Sequence, residues 1–538
     1  MPNVKPAMRV IYIPILLLFA AFLVIPLGIL FIRSFETSEG FNFSNYIAVL
    51  SNQELLTSIG NSIKISSLTA VITTVLAFTL AYAVNCTKIY TPLKMAIKTG
   101  ILLPMLLPTI TYGFAIIYSF GNQGFITKLV GRNLVEIYGF NGLLIGYVIY
   151  TLPAAFLLIN NSFKYIDKKF IIVSKLMGDG TLRSFKNTIV RPLVGTLGGA
   201  FVLSFIISFT DFGIPASVGG TYSVVATQLY QVMLGSIPNF NHGAAIAVVM
   251  LIPAVFGVLL LNYLEKRNFH YDKFGETELT PHRGRDVGFG IVSGVVLLAM
   301  LSVFAVMFVA PFVSSYPYDM TFTFKHLLDT FQSSDLTAVY KNSLFVALLT
   351  AVFGTCIAFS AAVLNVRTAV KGKSSLDTIA MMTNTVPGMV LGLSYLLFFN
   401  GSSLKGTFAI IVLYSIVHFF TTPYLMAKNA LSKMNPTWET TGELLGDSWL
   451  KTVYRVLLPN SRSTVIEMFS YYFINAMVTI SGIIFLVTAQ TSLVSSKIKE
   501  LQHFGKFNEI FMLSLLIFVT NLAVKLLCEA FQKKSNKQ

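Results

Sequence analysis

Residues 61–78 read NSIKISSLTAVITTVLAF, and residues 342–359 read NSLFVALLTAVFGTCIAF. Asn61-Ser62 and Asn342-Ser343 open the two runs. Leu68-Thr69-Ala70-Val71 matches Leu349-Thr350-Ala351-Val352, and Ala77-Phe78 matches Ala358-Phe359, at an offset of 281 throughout. Later, Gly178-Asp179 matches Gly446-Asp447. Pro192 and Pro459 close the corresponding stretches, with one residue extra in the first. Apolar runs of this length satisfy their own backbone in lipid as helices rather than barrel strands. The chain is therefore read as two copies of one membrane-spanning unit.

Working outward, a spanning helix needs about 20 mostly apolar residues. In the first half, stretches 10–33, 56–85, 96–120, 141–163, 193–213 and 241–264 qualify. In the second half, 288–312, 338–366, 377–400, 407–430, 461–488 and 507–530 do. The first run is too long for a signal-peptide core and lacks a small-residue cleavage site, so a retained span is expected. The predicted fold is an all-α membrane protein of about twelve transmembrane helices. Six crossings per half make the repeats parallel, related by an axis along the membrane normal. The expected domains are a first repeat at 1–264, a polar linker at 265–287 and a second repeat at 288–538.

Composition agrees. Of 538 residues, 54% are hydrophobic and 12% charged, against about 25% charged in soluble domains. Mean hydropathy is +0.72. This excludes a soluble globular enzyme and a disordered chain. The net charge of +16 sits in short loops between apolar runs, which reads as topology rather than nucleic-acid binding. With a cytoplasmic N-terminus, inside segments hold 29 of the 39 Lys and Arg. The positive-inside rule then puts both termini in the cytoplasm. Cys86, Cys356 and Cys528 are far apart, with no disulfide ladder or metal spacing.

Two loops are long, 164–192 and 431–460. Val173, Leu176 and Met177 recur at helical spacing in the first. Trp438, Thr441 and Leu445 do so in the second, followed by Trp449, Val453 and Val456. The pattern predicts a short surface helix in each, its apolar face on the bundle. Gly178 and Gly446 suit a helix end, where positive φ costs glycine nothing. Pro192 and Pro459 suit the start of the next span.

These loops resemble the cytoplasmic coupling loop of ABC importer permeases, with its Glu-Ala-Ala, three residues, Gly, and an apolar residue and Pro some thirteen residues on. Gly446 to Leu458-Pro459 has that spacing. Gly178 to Pro192 is one longer. Thr440-Thr441-Gly442 and Ile172-Val173-Ser174 depart from the Glu-Ala-Ala slots; Glu439 and Glu443 flank Thr440-Thr441-Gly442 and are the candidates to serve in place of the motif's glutamate. Pro387 through Asn400 and Leu103-Pro104 through Leu107-Pro108 resemble fused permeases of the ferric-iron and 2-aminoethylphosphonate branch. Ile410 to Phe419, Thr210 to Pro215 and Phe473 to Thr479 are most similar to the 2-aminoethylphosphonate permeases.

The resemblance implies a type I ABC importer permease in a bacterial inner membrane. It implies two ATPase subunits gripping the loops near Gly178, Asp179, Gly446 and Asp447, and an external solute-binding protein delivering cargo. ATP is used by the partners. The chain itself is expected to bind no cofactor or metal and to be no enzyme. Gly372-Lys373-Ser374 is not a phosphate loop, because the motif's first glycine would fall at Arg367 and no strand precedes it. The implied cargo is 2-aminoethylphosphonate or a related phosphonate, with ferric iron as the alternative. The different-class alternative, an ion-coupled secondary transporter, needs a mid-membrane relay, for which only His418 is placed.

Candidate path residues are Pro104, Pro108 and Pro387, which break apolar runs in corresponding third spans. The others are Asp211, His418, Asn384, Asn475 and Thr479. Asp211 is expected as a solvated or capping carboxylate at the outer mouth. For the histidine, asparagines and threonine, interhelical hydrogen bonds come before path lining.

Overall fold

The computed structural model describes residues 6–38, 40–133, 135–167, 169–265, 282–435 and 437–535. Most of the expected 265–287 linker therefore lies outside the described residues. Eight described helices are long and apolar enough to span a membrane: Val10–Phe35, Gln53–Cys86, Phe140–Tyr165, Thr181–Thr210, Phe240–Leu264, Arg283–Phe312, Ser334–Arg367 and Phe507–Lys534. Three further candidates are broken pairs. Thr91–Leu106 with Thr109–Val130 bends by 108°, Ser375–Thr385 with Gly388–Phe398 by 102°, and Phe408–His418 with Thr421–Ser432 by 52°. Arg462–Val478, with 17 residues, stands where the remaining span is expected.

The third spans break at the expected prolines, each turning through about a right angle. Proline lacks the amide that would continue the helix and pushes the preceding residue out of helical geometry. Leu107 and Val386, just before Pro108 and Pro387, are extended at ψ 145° and 116°. The fifth spans end earlier than the apolar pattern suggested, by three residues in the first half and ten in the second. Their helices stop at Thr210 and Val478, and the chain crosses over before a short helix, Gly213–Val218 in one half and Ile483–Phe485 in the other.

The chain packs as two units. One comprises Met1–Val49, Val232–Leu251 and Lys325–Gln538; the other comprises Leu50–Gln231 and Ile252–Phe324. Neither unit is one contiguous half of the sequence, because each takes its first span from the other half.

In the unit built on the second half, the borrowed span is the Pro6–Phe19 helix, a π turn at Ala20–Val24 and the Ile25–Phe35 helix. The turn bonds i→i+5, with the Ile25 amide on the Ala20 carbonyl, but Pro26, four residues after Phe22, has no amide to give the Phe22 carbonyl. The Tyr395 hydroxyl donates to the Phe22 carbonyl at 2.6 Å. Phe19 packs on Phe420 and Phe22 stacks on Phe399, ring centroids 4.5 and 5.4 Å apart. The Tyr12 hydroxyl donates to the Gly372 carbonyl at 2.7 Å.

In the other unit, the borrowed span is Arg283–Val309. The Ser119 hydroxyl donates to the Val303 carbonyl at 3.1 Å. Phe304 meets Tyr112 edge-on at 5.2 Å, and Phe289 lies 4.8 Å from Tyr82. A two-stranded hairpin follows the borrowed span in each case, Glu36–Thr37 with Gly40–Phe41 and Val313–Ser315 with Asp319–Phe322.

The Asn-Ser pairs that reveal the repeat do the same work in both units. They lie on 34-residue helices, Gln53–Cys86 and Ser334–Arg367, capped by the side chains of Asn52 and Ser333. Asn61 Nδ2 donates to the Ser223 carbonyl at 3.0 Å, and the Val225 amide donates to Ser62 Oγ at 2.9 Å. Asn342 Nδ2 donates to the Ser492 carbonyl at 3.2 Å, and the Val494 amide donates to Ser343 Oγ at 2.8 Å. Each pair ties the start of a long helix to the start of a short one, Val225–Leu234 or Val494–His503.

A second latch repeats with different chemistry. Gln228 Nε2 donates to Glu54 at 2.7 Å, while Lys497 pairs with Asp335 at 2.7 Å. Desolvation opposes the Lys497 charge, but the bonds that Lys497 donates to Asp335 and Glu500 outweigh it and hold the ammonium pKa above its ordinary value.

Candidate functional site: two matched loops

Both long loops adopt one backbone course. In the first, the Lys169–Leu176 helix ends at Gly178, then come Thr181–Phe185, a π turn at Lys186–Val190, and the next span with Pro192 in its first turn. In the second, Thr437–Leu444 ends at Gly446, then come Trp449–Thr452, a π turn at Val453–Leu457, and Pro459 in the following turn. The extra residue of the first loop falls in Thr181–Phe185, so the π turns keep their place relative to the prolines.

The helix ends are closed identically. Gly178 and Gly446 sit at φ +80° and +78°. The Asp179 amide reaches back to the Ser174 carbonyl at 3.1 Å, and the Asp447 amide to the Gly442 carbonyl at 2.9 Å. This six-to-one bond around a left-handed residue is the Schellman closure. A Cβ added at either glycine would meet nothing within 4 Å, so the requirement is conformational rather than steric.

The aspartates brace the turn. Asp179 accepts from Ser174 Oγ at 2.7 Å and pairs with Arg183 at 3.2 Å. Asp447 pairs with Lys451. The slot of Ser174 is Gly442 in the second loop, where an added Cβ would lie 2.9 Å from Thr452 Oγ1.

The apolar faces depart from expectation. Leu176, Met177 and Leu182 are 82%, 80% and 81% exposed, and their counterparts Leu444, Leu445 and Leu450 are 83%, 78% and 52% exposed. Val173, Trp438 and Thr441 are also exposed. The inward side is instead Ser174, Ser184 and Ile189 in the first loop, and Gly442, Trp449, Thr452 and Leu457 in the second. Helical periodicity located an apolar face but not what it meets. Each apex presents three large apolar side chains outward around a fixed turn.

The loops are anchored differently. Phe185 packs against Tyr82 and Phe78, ring centroids 5.6 and 6.0 Å apart. In the second loop, Glu439 faces Arg367, the last residue of a long helix, with Nε–Oε1 3.1 Å. Glu439 is therefore committed to its own chain. The side chain of Glu443 lies outside the described residues. Sequence reading missed Arg367 and Phe185. Phe185 lies inside the first loop and Arg367 lies 72 residues before Glu439, and neither carries a spacing signal.

The candidate path residues gather in part, unit by unit. In one, Pro104 offers its carbonyl to the Tyr112 hydroxyl at 2.5 Å, and Pro108 precedes the Thr109–Phe120 helix. Asp211 is buried and saturated rather than solvated. It accepts from the Ile214 amide at 2.9 Å and from the Thr109 hydroxyl, so it caps the short Gly213–Val218 helix and ties it to the break at Pro108. Gly213 stands where a Cβ would strike Thr109.

In the other unit, Pro387 precedes the Gly388–Phe398 helix. His418 ends its own helix, with its ring 5.5 Å from Tyr414. The Cβ position of Gly388 lies 2.7 Å from Ser481 Oγ, 2.9 Å from the Tyr414 hydroxyl and 3.1 Å from His418 Nε2. Breaks in three segments thus meet at Gly388, near Thr479. Asn475 bonds to the Tyr471 carbonyl of its own helix at 2.8 Å, not to a neighbouring helix. Asn384 is exposed.

Residues 73–270 and 354–537 each match the family described as "Binding-protein-dependent transport system inner membrane component". The chain belongs to this family. It is 25% identical over 532 residues to the ferric transport system permease protein FbpB of Actinobacillus pleuropneumoniae, covering 95% of this chain and 76% of the relative. A shorter match, 23% identical, joins 45% of this chain to 89% of the spermidine/putrescine transport system permease protein PotC of Escherichia coli K12. Another, 28% identical, joins 32% of this chain to 79% of the molybdenum transport system permease protein ModB of Azotobacter vinelandii.

Proposed function

We propose that this fused permease is driven by two ATPase subunits, one docked on each long loop, and imports a small solute handed over by an external binding protein. The observation that carries the reading is the matched pair of apices, Leu176-Met177 with Leu182 and Leu444-Leu445 with Leu450. Apolar side chains held outward by a rigid turn on a water-facing loop call for a protein partner. The charge asymmetry of the loops supports a cytoplasmic side for both, together with both termini, where ATP is available. Closure of the ATPase dimer would push the loops, and the Pro192 and Pro459 helices would carry that push into the spans. The broken third spans and the crossovers after Thr210 and Val478 supply non-helical backbone within the membrane, which persists only where protein or a water-filled path surrounds it.

For the cargo, the likeness to a ferric permease over nearly the whole chain favours ferric iron. The likeness of Ile410 to Phe419, Thr210 to Pro215 and Phe473 to Thr479 to 2-aminoethylphosphonate permeases favours that phosphonate. Proteoliposomes holding the chain, its ATPase and its binding protein separate the two: labelled phosphonate and chelated ferric iron are supplied in turn, with and without ATP. ATP-dependent accumulation of one identifies the cargo. Accumulation that continues without the ATPase would overturn the ATP-driven reading in favour of ion coupling.

A further inference from the structure

The two loops share a backbone course but are anchored by different forces, and this difference carries a consequence for the second docking site. Arg367 ends the Ser334–Arg367 helix with its side chain only 6% exposed, facing Glu439, 17% exposed, at 3.1 Å. By the repeat, the counterpart of Arg367 is Cys86 and that of Glu439 is Ile171. The first loop therefore carries no charge at either position and rests on Phe185 against Phe78 and Tyr82. A buried ion pair is a poor source of net stability, because desolvation offsets the attraction and apolar replacements often do as well. The first half illustrates such a replacement. What a buried pair does supply is direction, since moving one partner strands the other charge.

We propose that Arg367 is a positioning residue that fixes the second coupling loop through Glu439, so that force transfer at this loop depends on a charge pair while the first loop does not. The pair joins the Thr437–Leu444 helix directly to the foot of a 34-residue helix. A displacement of the loop is thereby passed to that helix without first bending the Trp449–Leu457 turn. This rests on the reading that an ATPase docks on the loop, and it adds that the two docking sites are mechanically unequal.

The test uses the assembled transporter in proteoliposomes, with Glu439→Gln, Arg367→Met and the exchanged pair Arg367→Glu/Glu439→Arg. Each single variant is expected to keep its ATPase on co-purification, since the apex is untouched, while solute moved per ATP hydrolysed falls by about fivefold to tenfold. The exchanged pair is expected to recover most of that ratio. Should a single variant fail to assemble, recovery of assembly by the exchange supports the proposal and failure to recover overturns it. Single variants with the wild-type ratio, or an exchange no better than either single variant, also overturn it. Wild-type chain that retains no ATPase would instead remove the docking reading on which it rests.

Discussion

The Tyr395 hydroxyl donates a hydrogen bond to the Phe22 carbonyl, 373 residues earlier in the chain, at 2.6 Å. The acceptor belongs to the π turn at Ala20–Val24, and Pro26, four residues on, has no amide to offer it. Tyr395→Phe keeps the ring packing against Phe22 and Phe399 and removes only the hydroxyl. The cost is the desolvated carbonyl, about 1–3 kcal/mol. Thermal unfolding of the purified chain in detergent is expected to shift down by a few degrees, with spanning topology unchanged. An unchanged transition would mean that the π turn satisfies itself.

Asp211 offers a sharper distinction. As a cap, it accepts from the Ile214 amide and the Thr109 hydroxyl. Asn at this position keeps an acceptor and loses the charge. Asp211→Asn is therefore expected to transport within about twofold of wild type, whereas Asp211→Ala strands both donors at about 1–3 kcal/mol and loses most transport. Initial uptake rates check this. Equal and complete loss in both variants would identify Asp211 as a cargo ligand.

Gly446 and Gly178 are conformationally required. A Cβ at φ +78° meets nothing, so Gly446→Ala costs only the left-handed backbone, about 1–2 kcal/mol. Gly446→Pro cannot adopt that φ at all, so it reorients the apex. The alanine variant is expected to retain partial ATP-driven uptake. The proline variant is expected to lose uptake while inserting normally in the membrane. Normal ATP-driven uptake by Gly446→Pro would count against the docking role.

Much of this architecture is legible from residue order alone, and the reason is local. Asn61-Ser62 and Asn342-Ser343 stand out as a repeat because each pair satisfies the start of a neighbouring helix, a requirement that only those side chains at that spacing meet. Gly178 and Gly446 are readable for a similar reason, since positive φ restricts the residue type. The near-right-angle breaks at Pro108 and Pro387 were legible in place but not in size, because proline fixes where a helix stops and neighbouring backbone fixes where it resumes. The exchange of first spans between units left no trace in residues 1–35, since an apolar helix reads the same whichever core it covers. The outward turn of Leu176, Met177, Leu444 and Leu445 was likewise invisible, because periodicity cannot tell a face buried in its own bundle from one presented to a partner. Arg367–Glu439 joins residues 72 positions apart, and only the folded chain brings them together.

The most direct test of the central claim is the number of ATPase subunits retained per chain. Affinity-tagged wild type, Leu176→Asp/Met177→Asp and Leu444→Asp/Leu445→Asp chains are purified with the ATPase in excess, and the bound ATPase is counted by native mass spectrometry. All four side chains are exposed, so the charges should leave folding intact while repelling an apolar partner surface. Two subunits on wild type and a loss of binding in each apex variant are predicted. Wild-type chain that binds none, or apex variants that keep both, would contradict the claim that these loops receive the driving force.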